Sequence, residues 1–351
     1  MQTIGVGMLG YAFMGKAHSA GFNQVVTLGD APLRPLLVGI AGRDEHAVRD
    51  AAERYGYEYA TTDWRELVAD DRIALFDNGG PNSLHAEASI AAAEAGKHVV
   101  CEKPLGRDAD ESYEMWWRVA ATGVKHLCAF NYRFVPAVRR ARELIESGEL
   151  GEIVHFRARY LQDWGWDASE DAWRFRPGEA GSGALGDIMS HVVDQARFLV
   201  GEAAAVAGGV RAFVPGRSVD DAAYAAVEFE NGAVGTLEAT RLATGRKNGL
   251  FWEVNGTKGS LAFELERLNE LQWSRGGRGF ERVVVDTWWP PGHVVGWGDT
   301  FIHELAHIIR CIATGDDVAP WGATFEDGYR CAEVLDAIAR GGRQELRYRT
   351  V

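Results

Sequence analysis

The chain has 351 residues, 46% of them hydrophobic and 25% charged, which predicts a globular protein with two domains. Its net charge of −13 argues against nucleic acid or an anionic membrane as the main partner, because both require clustered positive charge. The chain opens without a cationic, apolar leader and has no apolar run of the ~20 residues that span a membrane, which indicates a cytoplasmic protein. Its four cysteines are well separated in the sequence, which indicates reduced thiols.

The first predicted elements are a buried strand over residues 3–9, a glycine-containing turn over residues 10–15, and a helix. In a dinucleotide site this order places main-chain N–H groups and a helix N-terminus against the pyrophosphate. Ala12 replaces the second glycine of the G-x-G-x-x-G pattern, and its methyl group weakens the fingerprint without abolishing it. A plain glycine-rich turn between core elements is the alternative. The predicted cofactor contacts in this turn are Gly10, Ala12, Phe13, Met14 and Gly15.

The second strand, residues 36–41, is followed by Gly42, Arg43 and Asp44. NAD sites commonly place an acid at the end of this strand to hold the ribose 2′-hydroxyl, whereas an arginine accommodates the 2′-phosphate of NADP. Gly42 stands at the acid position, Arg43 is suited to a phosphate or to stacking on the adenine, and Asp44 is within reach of the ribose. Gly42 and Arg43 are predicted cofactor contacts, and NAD and NADP both remain open.

Helices and strands continue to alternate after this point. The predicted helices cover residues 47–55, 62–69, 86–95, 108–121 and 136–148. The predicted strands are a run after the first of these helices, residues 73–76, a run ending at residue 102, and residues 125–130. This alternation predicts an α/β domain with a parallel, doubly wound sheet of the Rossmann type. We place the boundary after residue 124, which gives domains 1–124 and 125–351.

The strand that ends in Glu102-Lys103-Pro104 is predicted to carry the chemistry. The carboxyl end of a parallel strand is where open sheets bind their ligands, so Lys103 should face a ligand, although a solvated loop lysine shows the same pattern. We predict a cis Lys103–Pro104 peptide, since proline tolerates cis at a cost of only ~0.5–1 kcal/mol and this bend would direct the lysine across the cleft.

From about residue 151 the pattern changes to short strands with period-two alternation and turns such as Asn231-Gly232. Strands are predicted over residues 153–161, 223–229, 233–240, 250–254, 260–263 and 283–287, and helices over residues 185–200, 300–313 and 326–339. This texture predicts an α+β C-terminal domain with a large, mostly antiparallel sheet. Few helices are available to cover it, so we expect sheet faces to pack between subunits in a homodimer or homotetramer.

A second polar motif begins the helix at residues 185–200. Asp187, His191 and Asp194 are spaced four and three apart, so a helix presents them on one face. A carboxylate beside an imidazole is a general-base arrangement in which the carboxylate fixes the tautomer. A polar helix face touching water is the alternative for this motif alone.

Glu102-Lys103-Pro104 and the Asp187-x-x-x-His191 motif, which follows a glycine-rich segment, lie in this order behind a nucleotide fingerprint. This combination of Glu102-Lys103-Pro104 with Asp187 and His191 resembles the Gfo/Idh/MocA family of NAD(P)-dependent oxidoreductases over essentially the whole chain. The resemblance implies oxidation of a secondary hydroxyl of a sugar, anhydrosugar or cyclitol, in which His191 accepts the hydroxyl proton, Asp187 orients His191, and Lys103 stabilises the alkoxide.

The family likeness adds further cofactor contacts. The loop Gly80-Pro81-Asn82 leads to His85 and is similar to the family's Thr-Pro-Asn loop, with glycine in place of threonine. The resemblance implies that Asn82 binds the nicotinamide ribose; His85 is either a cofactor contact or a satisfied histidine at a helix start. Glu102 completes the predicted cofactor contacts.

Aromatic residues indicate the substrate. Trp164, Trp173 and neighbouring rings precede the second motif, and flat apolar rings suit the C–H faces of a sugar, although core packing explains any single ring equally well. The predicted substrate contacts are Lys103, Arg133, Trp164, Trp173, Arg174, Asp194 and His303.

Two alternatives compete with the dehydrogenase. His303-Glu304-x-x-His307 matches the helix signature of zinc metalloproteases, but a zinc hydrolase leaves the nucleotide fingerprint and both polar motifs unexplained, so we predict no metal. A non-catalytic, sugar-sensing regulator of the same fold is the second alternative. Lys103, Asp187 and His191 argue against it, since a sensor needs none of the three.

Overall fold

The computed structural model describes residues 1–166 and 173–351. The first half contains strands β1 Thr3–Leu9, β2 Arg34–Ala41, β3 Tyr59–Thr61, β4 Leu75–Asn78, β5 His98–Glu102 and β6 His126–Ala129, with helices α1 Phe13–Leu28, α2 Glu45–Tyr55, α3 Trp64–Ala69, α4 His85–Glu94, α5 Ala109–Ala120 and α6 Pro136–Glu146. The second half contains strands β7 Ile153–Leu161, β8 Ala203–Arg211, β9 Ala222–Phe229, β10 Val234–Thr240, β11 Gly249–Gly256, β12 Gly259–Glu264, β13 Glu270–Arg275, β14 Glu281–Val284 and β15 Gly342–Glu345, with helices α7 Pro177–Ala180, α8 Ser190–Leu199, α9 Asp299–Thr314 and α10 Phe325–Arg340.

The first sheet is parallel, with the strand order β3-β2-β1-β4-β5-β6. Its central strands are buried on both faces, as the unbroken apolar run Val99–Cys101 in β5 requires. The order reverses between β1 and β4, and this switch point is where open α/β sheets bind dinucleotides. The predicted Rossmann-type sheet is confirmed.

The first domain extends further than the predicted boundary. Strand β6 pairs with β5, so a boundary after residue 124 cuts off the last strand of the first sheet. Helix α9, although it comes late in the chain, packs on α1, and its Ile302, Leu305 and Ile309 belong to the same buried cluster as Val6. The division into 1–124 and 125–351 therefore does not match how the layers pack.

The second sheet has nine strands in the order β14-β13-β12-β11-β7-β10-β9-β8-β15. Neighbouring strands run antiparallel except β7 and β10, which are parallel. The predicted antiparallel α+β domain is thus confirmed. Sequence analysis missed β8, β13 and β15; β8 is rich in alanine and glycine, which have weak strand propensity.

The parallel pair β7 and β10 decides where the second sheet meets the first domain. Because they run in the same direction, their carboxyl ends, followed by Gln162 and Arg241, lie at one edge of the sheet. Strand β11 is antiparallel to β7 and begins at the same edge, after Asn248. Within the described ranges, no helix is long and apolar enough to span a membrane.

Candidate active site

A cavity of about 970 Å³ lies between the carboxyl ends of the first sheet and this edge of the second. The glycine turn, the end of β2 and Lys103 line one side of it. The other side is formed by the start of the second motif helix and the strand ends of the second sheet. The predicted site residues that line the cavity are Gly10, Ala12, Phe13, Met14, Gly42, Arg43, Asn82, Glu102, Lys103, Trp164, Trp173, Arg174, Asp187 and His191.

The glycine turn has the geometry of a phosphate cradle. Gly10 has a φ of 98°, and a Cβ atom there would lie 2.5 Å from the carbonyl oxygen of Gly79. Helix α1 begins at Phe13 without a side-chain cap at Ala12, so its first N–H groups are available to an anion. Gly15 does not line the cavity; a Cβ atom there would lie 2.1 Å from the Gly10 carbonyl oxygen, so Gly15 serves packing rather than the predicted cofactor contact.

The end of β2 leaves no room for an acidic side chain at position 42. A Cβ atom on Gly42 would lie 2.2 Å from the ring of Tyr11, which packs over this glycine. Asp44 caps helix α2, where its Oδ1 atom accepts the N–H of Ala47 at 2.8 Å. Arg43 is the charged residue at this end of the strand that lines the cavity.

The loop after β4 contributes Asn82 but not His85. Asn82 lines the cavity, and its Nδ2 donates to the carbonyl oxygen of Ala180 at 2.9 Å. The His85 ring is buried instead between main-chain carbonyls, with Nδ1 2.9 Å from the oxygen of Pro104 and Nε2 3.1 Å from that of Gly80. Burial lowers the pKa of His85. Of the two alternatives for His85, these contacts favour the satisfied histidine at a helix start over the cofactor contact.

Lys103 reaches across the cavity to the second motif. The Lys103–Pro104 peptide is cis, as predicted. The Lys103 amine donates to the main-chain oxygen of Asp187 at 2.7 Å and lies 3.4 Å from its Oδ1. Residues predicted from two separate motifs therefore meet at one point.

Asp187 is held by cations rather than by His191. It lies in a π-helical turn, Leu185–Met189, that precedes α8, a feature often found at functional sites. Its Oδ2 is 3.6 Å from Arg241 while Oδ1 faces Lys103, and no hydrogen bond joins Asp187 to His191 within the described chain. Burial would raise the pKa of Asp187, but Lys103 and the neighbouring arginines lower it. The interaction between Asp187 and His191 in the structure is therefore electrostatic, and the role of Asp187 in orienting His191 stays a prediction.

His191 is a neutral base candidate. Its ring is 6% exposed and packs 4.5 Å from the ring of Tyr132; its Nδ1 has no hydrogen-bond partner among the described residues. Burial, and then the charge of Lys103, lower the pKa of His191 well below its usual value, although Asp187 opposes them. A neutral imidazole at neutral pH is able to accept a proton.

The second sheet adds a polar wall that sequence analysis missed in part. Tyr160 donates to Asn248 at 2.5 Å, Gln162 donates to the same oxygen at 3.1 Å, and Trp164 donates to Gln162 at 2.7 Å. Each of these residues lies near the end or the beginning of a strand, as does Arg241. A location at a strand end was recognisable in the sequence. The parallel pairing of β7 with β10, which brings these strand ends together, was not.

Three predicted substrate contacts lie outside the cavity. Arg133 binds Asp194 through contacts of 2.6–3.1 Å, and both side chains are at most 3% exposed. The ring of His303 stacks on Trp288 at 3.6 Å. None of the three lines the cavity, and each side chain is satisfied or packed in the interior, so the structure favours a structural role over the predicted substrate contact.

The zinc-protease motif does not converge. His303 stacks on Trp288, while His307 Nε2 lies 2.8 Å from the carbonyl oxygen of Val318. Glu304 is buried without a hydrogen-bond partner in the described part of the chain, and no cluster of metal-ligating side chains is found there. The structure offers no basis for the zinc hydrolase.

Comparison with known proteins agrees with this geometry. Residues 4–130 match the family model described as an oxidoreductase family with an NAD-binding Rossmann fold, and residues 138–262 match the GFO/IDH/MocA C-terminal domain. Levoglucosan dehydrogenase from Pseudarthrobacter phenanthrenivorans is 41% identical, covering 98% of this chain and 97% of the relative. Inositol 2-dehydrogenase from Rhizobium meliloti is 28% identical over 97% of each.

A solved structure shows the same fold. Levoglucosan dehydrogenase in complex with NADH and levoglucosan superposes with a TM-score of 0.95 at 42% identity, covering 99% of this chain and 100% of the other.

Proposed function

Because this chain belongs to the GFO/IDH/MocA family of oxidoreductases, we propose that it is an NAD(P)-dependent dehydrogenase that oxidises a secondary hydroxyl of a sugar, anhydrosugar or cyclitol. The observation that carries the proposal is one cavity that joins the glycine turn to Lys103, Asp187 and His191. Levoglucosan is the first substrate to test, since a relative with 41% identity over nearly the whole chain is named for it.

The residues at the glycine turn fit a dinucleotide. The uncapped N-terminus of α1 and the close approach at Gly10 suit a pyrophosphate. We expect Arg43 and Asn82, which line the same cavity, to hold the adenosine and nicotinamide riboses. When bound, the nicotinamide ring supplies the acceptor for the hydride of the substrate carbinol carbon.

The proton is handled by the opposite wall. Neutral His191 accepts the proton of the substrate hydroxyl, and Lys103 donates a hydrogen bond to the oxygen as negative charge develops on it. To do so, the Lys103 amine exchanges its 2.7 Å bond to the Asp187 carbonyl for one to the substrate. Asp187, which also faces Arg241, keeps the amine near this position.

The test is turnover with a panel of monosaccharides, anhydrosugars and inositols, each with NAD and with NADP, followed by the absorbance of the reduced cofactor. Lys103→Met should lower kcat by ~10²-fold or more, as removal of a positioned catalytic group does, and should leave cofactor binding intact. Lys258→Met, exposed in the turn between β11 and β12, is the matched control. Comparable turnover in Lys103→Met would end the assignment, and tight sugar binding without reduction of either cofactor would favour the sensor.

We also propose that the protein is a cytoplasmic homodimer or homotetramer. Helices α8 and α10 pack on one face of the second sheet, whereas the other face carries the half-exposed side chains of Tyr224 and Val234. A second copy would cover this face. A monomeric mass by light scattering at micromolar concentration would contradict the oligomer.

A further inference from the structure

A buried histidine that the proposed mechanism does not use lies beneath the strand end that carries Lys103. His18, on α1, has no exposed surface, and both of its ring nitrogens face carboxylates. Nδ1 lies 2.8 Å from Asp77 Oδ2, and Nε2 lies 3.1 Å from Glu102 Oε1. Asp77 and Glu102 stand on the neighbouring strands β4 and β5, so the sheet holds one acceptor on each side of the ring.

Because the acceptors at both nitrogens are carboxylates and not neutral carbonyls, the two contacts favour a charged ring. A neutral imidazole has one N–H group and one acceptor nitrogen, so it donates to only one of the two carboxylates. An imidazolium donates from both nitrogens, in charge-assisted hydrogen bonds roughly twice as strong as neutral ones. Burial alone would lower the pKa of His18, but Asp77 and Glu102 together raise it well above its usual value.

The surrounding groups favour a cationic ring. Glu304 on α9 also interacts with His18, but burial raises the pKa of Glu304 well above its usual value, which favours its neutral form. The two carboxylates in contact with the ring, Asp77 and Glu102, are therefore the negative groups that face His18. Buried charges are tolerated when they are paired in this way.

Glu102 connects this arrangement to the lysine. While its Oε1 atom faces His18, its Oε2 atom accepts the main-chain N–H of Lys103 at 3.1 Å. Without the imidazolium, Glu102 loses the donor that fixes its side chain, and the main chain at Lys103 loses a fixed acceptor. A shift of about 1 Å at a reacting group is enough to cost on the order of 10²-fold in rate.

We infer that His18 is a positioning residue, a protonated imidazolium that clamps Glu102 and thereby sets the direction from which Lys103 meets the substrate oxygen. The inference rests on the proposed role of Lys103 in the dehydrogenase. The charge of His18, however, is measurable without any turnover.

Nitrogen NMR on the whole protein, labelled with ¹⁵N-histidine, tests the charge directly. The chain has ten histidines, all within the described ranges, and among them His18 has a carboxylate on each ring nitrogen. At about pH 8.5, well above the ordinary histidine pKa of ~6.5, we expect one histidine with both nitrogens protonated, and its signals should be missing from the spectrum of His18→Gln. Spectra in which every histidine is a neutral tautomer at this pH would overturn the inference, whether or not any variant folds.

Kinetics test the positioning role. His18→Gln keeps a buried amide but no charge, and we expect kcat to fall by on the order of 10²-fold while the NADH dissociation constant and the substrate KM stay close to wild type. His46→Gln, on the exposed face of α2 with its side chain 89% exposed, is the matched control. Unchanged kcat in a folded His18→Gln would refute the positioning role.

A second variant covers the case in which His18→Gln does not fold. Glu102→Gln removes one carboxylate that raises the pKa of His18, so the imidazolium should titrate at lower pH and kcat should fall together with it. An imidazolium whose titration does not move would contradict the clamp. Failure of the proposed function itself is recognised separately, by wild-type protein that reduces neither cofactor with any sugar.

Discussion

Replacing Asp194 by asparagine should destabilise the protein without weakening substrate binding. Asp194 accepts hydrogen bonds from Arg133 Nε and Nη2 at 2.6–3.1 Å, and neither side chain is more than 3% exposed. The asparagine would keep the shape of the side chain but remove its charge, which leaves the buried guanidinium with a weaker acceptor. The variant therefore separates an interior ion pair from a substrate contact.

The magnitude follows from what remains around Arg133. Breaking a buried ion pair by removing one partner costs about 3–5 kcal/mol. Asp327 still contacts Arg133 at 3.2 Å, and Arg133 and Arg197 hold the pKa of Asp327 well below its usual value despite burial. We therefore expect the lower end, about 3 kcal/mol. At about 2 °C per kcal/mol for a large chain, this is a decrease of about 6 °C in Tm.

Scanning calorimetry and steady-state kinetics measure the two effects. The control is Glu143→Gln, which breaks an ion pair between Arg140 and Glu143, whose side chains are 48% and 51% exposed, respectively. The free energy of unfolding of this control should fall by less than about 1 kcal/mol. The KM of the Asp194→Asn variant should stay within about threefold of wild type, a difference of ~0.6 kcal/mol. A wild-type Tm combined with a much higher KM would refute the structural role and make Asp194 a substrate contact.

The acid limb of kcat/KM should lie below pH 6.5, because burial and Lys103 lower the pKa of His191. In Lys103→Met the acid limb should move to higher pH. An unmoved pH profile would contradict the electrostatic effect of Lys103 on His191. Gly42→Asp should weaken NADH binding by about tenfold or more, since overpacking against Tyr11 costs about 1–3 kcal/mol. Fluorescence titration measures this, and the combination with Tyr11→Ala should restore part of the affinity; wild-type affinity in the single variant would mean that Tyr11 yields without cost. Extended dialysis against EDTA should leave turnover unchanged, because the side chains of the motif at residues 303–307 diverge. Turnover that is lost on dialysis and restored by zinc would contradict the prediction that the protein needs no metal.

Local sequence determined the elements that carry the site. The apolar run before Glu102 is long enough for one strand buried on both faces, and the turn after β1 places glycine where a positive φ is needed. The alternation of strand and helix specified a parallel sheet, and parallel strands present their carboxyl ends at one edge. Short-range sequence patterns were therefore enough to identify Lys103, Asp187 and His191.

Tertiary structure decided which groups those residues face. Asp194 follows His191 by three residues, yet it binds Arg133 in the interior, because spacing specifies a helix face but not what packs against it. Arg241 reaches Asp187 only because β7 and β10 pair in parallel, and His18 meets Asp77 and Glu102 only across the packed first sheet. Such partners are distant in sequence, and they are selected by the burial and neutralisation of charge in the folded core, which hydrophobic periodicity does not encode.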